Sequence, residues 1–124
     1  MLQMNKIIIA GSREFSDYNL LEREVKKFIV EENIVNPIII SGIAKGADKL
    51  GEDFAKKFKL NVELYPADWD SYGKRAGFLR NEQMAKCASH CIVFWDGDSK
   101  GTGHMIDLAN KYNLKLKVIN FGST

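Results

Sequence analysis

Short apolar runs rich in β-branched residues recur along this chain, and each is followed by a stretch with helical spacing. Ile7-Ile8-Ile9 and Ile38-Ile39-Ile40 are continuous rather than alternating, as expected of strands covered on both faces. The full reading is strand near 5–10, helix 17–32, strand 37–41, helix 46–59, strand 61–65, helix 75–89, strand 91–95, helix 102–113 and strand 115–120. Parallel neighbours need crossover connections, and helices supply them. The alternation therefore predicts an α/β three-layer sandwich: a mainly parallel five-stranded sheet with helices on both faces.

The helices carry inward stripes. Leu21, Val25, Phe28 and Ile29 form one, with Asp17 placed to cap its start. Ala47, Leu50, Gly51, Phe54, Ala55 and Phe58 form the next. Gly51 weakens that helix by propensity, which a close helix-to-strand approach would explain. Leu60 to Tyr65 alternates, which reads as an edge strand with one wetter face.

With 124 residues, residues 1–124 read as one domain large enough to bury a core without metal or disulfide support. A net charge of +2 is too mild for a nucleic-acid surface, and Lys56, Lys57 and Lys59 read as a solvated helix face. No apolar stretch approaches the roughly 18 residues a membrane helix needs. Met1-Leu2-Gln3-Met4-Asn5-Lys6 runs straight into a strand without the pattern of a signal peptide, so a cytoplasmic setting is expected. Cys87, Cys91, His90 and His104 have no usual zinc spacing and read as buried thiols of a reducing compartment beside ordinary histidines.

Three strand-to-helix turns are rich in glycine and hydroxyls: Gly11-Ser12-Arg13, Ser41-Gly42-Ile43-Ala44-Lys45-Gly46-Ala47-Asp48, and Asp96-Gly97-Asp98-Ser99-Lys100-Gly101-Thr102. In a parallel sheet all three fall on the carboxyl edge, where ligands sit near a topological switch point. Unpaired N–H groups and positive helix ends meet there, which suits phosphate. Ser12, Ser41, Gly42, Gly46, Gly101 and Thr102 could donate, with Arg13, Lys45, Lys100 or Arg80 adding charge; Gly11, Asn81 and Ser99 complete the expected set. The first turn is not G-x-G-x-x-G, no acid ends the second strand, and no Walker lysine pattern occurs, which argues against an ordinary dinucleotide dehydrogenase or P-loop NTPase. Asp48 with Glu52, and Asp96 with Asp98, are carboxylate pairs able to hold Mg²⁺ or do acid/base work, although acids at a helix start also complement its dipole. Trp69 and Tyr72, in a long connection with Lys74, Arg75 and Arg80, could stack on a base or plug the core.

Ala10-Gly11-Ser12-Arg13-Glu14-Phe15, Ser41 to Asp48, Ala67-Asp68-Trp69, Arg80-Asn81-Glu82-Gln83-Met84 and Asp96 to Thr102 together resemble the YspA-type branch of the SLOG superfamily. That group includes Rossmann-like domains of the DNA-processing protein DprA, LOG-type hydrolases and nucleotide-sensing modules. LOG-type enzymes cleave the N-glycosidic bond of nucleoside monophosphates with an arginine in R-K-x-x-M and a glutamate in P-G-G-x-G-T-x-x-E. Arg80 and Met84 match the first segment, with Asn81 in place of lysine, and Gly101-Thr102 matches the G-T of the second. The glutamate position falls on Met105, which carries neither charge nor proton.

The resemblance implies a Rossmann-like domain, a homodimer as in many relatives, and a nucleotide or nucleotide-derived ligand of AMP or ADP-ribose type, sensed or sequestered. The enzymatic alternative is a nucleotide N-glycosidase or phosphohydrolase using Arg80, Asp48, Glu52, Asp96 or Asp98, with Mg²⁺ as the conceivable cofactor. A third class is single-stranded DNA binding by analogy with DprA, against which the mild charge argues.

Overall fold

The computed structural model describes residues 4–122, so Met1-Leu2-Gln3, assigned above to the lead into the first strand, lie outside the described residues. The strands are β1 (Lys6–Gly11), β2 (Ile38–Ser41), β3 (Asn61–Leu64), β4 (His90–Trp95) and β5 (Lys115–Asn120). They form one sheet in the order β3-β2-β1-β4-β5, and every neighbouring pair is parallel. The helices are α1 (Tyr18–Glu31), α2 (Ala47–Lys57), α3 (Trp69–Tyr72), α4 (Ala76–Cys87) and α5 (Lys100–Lys111), with a 3₁₀ turn at Gly73–Arg75. Adjacent strand residues point to opposite faces, and two apolar layers result. Ile7 and Ile9 pack with Leu21, Val25 and Phe28 of α1 and Phe54 of α2. Ile8 and Ala10 pack on the other side with Met84 and Ala85 of α4 and Met105 and Leu108 of α5.

Several local expectations meet their geometry. Asp17 caps α1, accepting from the Leu20 N–H at 3.0 Å. Gly51 sits where an added Cβ would lie 2.8 Å from Ile9 Cγ2, so the close approach of α2 to β1 accounts for it. The 65–75 connection is not plain loop: Asp68 accepts from the Ser71 N–H at 3.1 Å and starts α3. α5 begins at Lys100 rather than 102, which puts Gly101 and Thr102 inside its first turn. Among the described residues, no helix is long and apolar enough to cross a membrane.

Candidate functional site

The strand order reverses direction between β1 and β4, and the crevice outside their carboxyl ends is where an open parallel sheet accepts ligands. A cleft of about 430 Å³ lies there. The turn after β1 forms one wall and the turn after β4 with the start of α5 forms another. The third comes from α3 and the first turns of α4. Gly11 permits the crowding at its base, because an added Cβ would fall 2.3 Å from the Phe94 carbonyl oxygen. Ser12 ties the two strands together: its N–H donates to Phe94 O at 2.9 Å and its hydroxyl accepts from the Asp96 N–H at 3.2 Å.

The turn after β4 is shaped by one carboxylate. Asp96 Oδ1 accepts from the N–H groups of Asp98, at 2.9 Å, and Ser99, at 2.8 Å, and these bonds hold its pKa below the ordinary carboxylate range. Ser99 precedes α5 without a side-chain cap bond; its hydroxyl lies 3.3 Å from that of buried Thr102. The first i→i−4 bond of α5 runs from the Gly103 N–H to Ser99 O at 3.1 Å. The N–H groups of Lys100, Gly101 and Thr102 thus belong to the open first turn of a helix. An added Cβ at Gly101 would meet nothing within 4 Å, so approach to this backbone is unobstructed.

Arg80, half-buried on α4, donates from Nε to Asn81 Oδ1 at 3.0 Å and from Nη1 to Gly42 O. Asp48 meets Arg80 over the same face of Gly42: a Cβ there would lie 2.7 Å from Arg80 Nη1 and 2.8 Å from Asp48 Oδ2. Burial pushes the Asp48 carboxyl up to about 6, against the pull of Arg80 and of the Ala44 and Gly42 N–H groups. Burial also lowers the Arg80 pKa, with Arg13 acting the same way and Asp48 opposing. Cations and carboxylates both border the cleft: Arg13, Lys74 and Arg80 against Glu14, Asp48 and Asp96.

Of the residues singled out from sequence, Gly11, Ser12, Arg13, Asp48, Trp69, Arg80, Asn81, Asp96, Ser99, Gly101 and Thr102 border this one cleft. Ser41, Gly42, Lys45, Gly46, Tyr72, Lys100 and Asp98 do not. The reasons are local. The Ser41 hydroxyl is buried, donating to Glu52 at 2.7 Å and accepting from the Ile43 N–H at 3.1 Å. Gly42 lies beneath Arg80. Gly46, at φ +79°, presses on the β1 turn, where a Cβ would be 2.3 Å from Ser12 O. The second glycine-rich turn thus meets the cleft only through Ala44 and Asp48, while its serine and glycines brace the neighbouring elements from outside. Asp48 and Glu52 are directed to different partners, the Ala44 N–H and the Ser41 hydroxyl. Among the described residues, no three His, Cys, Asp or Glu side chains cluster as metal ligands would.

The cleft also contains residues outside the expected site set, chiefly Glu14, Ala44, Lys74, Gly77 and Phe78. Phe78 is 49% exposed and Trp69 52%, both where they border the cleft. Helical spacing was the available signal: counting back three and four residues from Asn81 reaches Phe78 and Gly77 on one face of α4. Met105 lies on the cleft wall yet is 1% exposed, packed among Ile8, Met84 and Leu108. The position matched to the LOG-type glutamate is therefore part of the core.

Sheet order, cleft position and the open start of α5 define a Rossmann-like α/β domain with a switch-point site. A family model described as the YspA, cpYpsA-related SLOG family matches residues 5–72, and the chain belongs to that family. The gene 61 protein of Mycobacterium phage D29 is 34% identical over 96% of this chain and 98% of its own length. In fold, the chain is similar to the X-ray structure of DNA processing protein A (DprA) from Streptococcus pneumoniae, with a TM-score of 0.75 at 17% identity. That likeness covers 97% of this chain and 52% of the DprA chain, so the present chain spans about half of that protein's length.

Proposed function

We propose that the cleft binds a nucleotide or nucleotide-derived ligand of AMP or ADP-ribose type and holds it intact, as a sensing or sequestering module. The observation that carries this reading is the open first turn of α5 at the β1/β4 switch point, with an unobstructed Gly101 backbone beside the Thr102 hydroxyl. Free helix N–H groups and the positive end of the helix favour an anion there. Arg80 and Arg13 would supply charge-assisted contacts to the phosphate. Trp69 or Phe78 would stack on the base, each exposing enough ring at the rim to do so.

Binding is preferred over base removal because of Met105. Breaking a glycosidic bond builds positive charge on the ribose, which LOG-type enzymes stabilise with the glutamate that Met105 replaces; a buried thioether cannot, and Asp48 and Asp96 at the cleft are engaged by the Ala44 N–H and by the Asp98 and Ser99 N–H groups. Calorimetry with AMP and with ADP-ribose tests the site. Thr102→Val keeps the branched shape and removes the hydroxyl, so it should weaken binding by about 1–3 kcal/mol with the fold intact. Wild-type affinity in that variant would remove Thr102 from the site.

A further inference from the structure

Asn81 occupies the position where LOG-type sequences have a lysine, and it is buried between α4 and α5. Its two ends do different work. Arg80 Nε can only donate, so the atom it meets at 3.0 Å is the amide oxygen. That orientation turns Nδ2 toward α5, 3.5 Å from Gly101 O and 3.4 Å from His104 Nδ1. Burial lowers the His104 pKa, which favours a neutral ring whose Nδ1 accepts. A lysine at this position could donate to the carbonyl but could not accept from the arginine.

Arg80 is thereby held on two of its three nitrogens, Nε by Asn81 and Nη1 by Gly42 O. Nη2 has no protein hydrogen bond among the described residues, and it lies on the Gly77 and Trp69 side of the fork, where the cleft opens. We infer that Asn81 is a positioning residue, coupling the Arg80 guanidinium to the first turn of α5 so that the Nη2 edge and the Gly101-Thr102 backbone face one phosphate. Asn81 acts through these two groups rather than by touching the ligand. This assignment rests on the phosphate reading of the cleft, and it adds the reason an asparagine suits this chain.

The test has one arm without ligand and one with AMP. Asn81→Leu removes both amide ends at similar volume, and Asn81→Asp keeps the acceptor for Arg80. NMR of the arginine Nε–H groups should show slow exchange for Arg80 in the wild type and in Asn81→Asp, and exchange about tenfold faster or more in Asn81→Leu. Unchanged exchange in Asn81→Leu overturns the placement of Arg80. With AMP, Asn81→Leu should lose tenfold or more in affinity, and in an Arg80→Ala background the same change should cost less than about twofold. Losses that multiply in the double variant overturn the coupling. Asn81→Asp keeps the guanidinium in place but opposes its charge and repels Gly101 O, so AMP affinity should still fall; unchanged affinity there also overturns the inference. Failure of the wild type to take AMP would count against the functional reading, while the exchange arm still decides whether Asn81 places Arg80.

Discussion

Gly101→Ala should move stability and binding in opposite directions. Gly101 lies in the first turn of α5, its backbone does not require positive φ, and a Cβ there meets nothing within 4 Å. Alanine therefore adds no clash, and a helix gains roughly 0.5–1 kcal/mol on losing a glycine. For a chain of this size that gain raises Tm by about 2–5 °C. The same methyl group occupies the space through which a phosphate oxygen would reach the backbone N–H groups. Loss of one hydrogen bond to a charged group is worth about 1.5–3 kcal/mol, or roughly a 10- to 150-fold loss of affinity. Thermal melting and calorimetry with AMP on the same preparation read both effects. A raised Tm with unchanged affinity would show that phosphate does not sit at this turn. A lowered Tm would refute the assignment of Gly101 to an unobstructed helix start.

Asp48→Asn tests the buried carboxyl beside Gly42. Its folded pKa of about 6 lies above the unfolded value of about 3.9, so its contribution to stability is complete below about pH 4 and is lost as pH rises through 6. The variant should match wild type at pH 4 and exceed it at pH 8 by roughly 2–3 kcal/mol; equal Tm differences at both pH values would contradict this. Gly51→Ala should lower Tm despite the better helix former, because its Cβ would crowd Ile9 at 2.8 Å and overpacking costs about 1–3 kcal/mol. Arg80→Lys keeps the charge but gives up the planar fork held by Asn81 and Gly42, and calorimetry should show AMP affinity down tenfold or more, about 1.4 kcal/mol. Wild-type affinity would mean that the charge alone suffices.

The sheet and its covering helices were legible because continuous isoleucine runs and helical stripes report burial directly. The turns after β1 and β4 were legible as cleft walls because both sit at the switch point of a parallel sheet. The second turn meets the cleft only at Ala44 and Asp48, for a physical reason: Ser41, Gly42 and Gly46 have the composition of an anion cradle, but composition does not show which neighbour a glycine must let pass. Here the neighbours are the Arg80 side chain and the backbone at Ser12. Tyr72 and Phe78 exchanged places for a related reason. The 65–75 connection folds into α3 and a 3₁₀ turn, which leaves Tyr72 outside the cleft while α4 carries Phe78 onto its rim. Such a rotation depends on how short elements pack, which residue types alone do not encode.

Whether the cleft holds a nucleotide without breaking it can be read from the ligand itself. The direct measurement is to incubate the protein with AMP or ADP-ribose, isolate the complex by rapid gel filtration, release the ligand by denaturation and identify it by liquid chromatography with mass spectrometry. One of the two should be recovered intact from the wild type, and Gly101→Val, which blocks backbone approach more fully than alanine, should retain neither. Recovery of free adenine with a ribose phosphate, or equal retention by Gly101→Val, would contradict this reading.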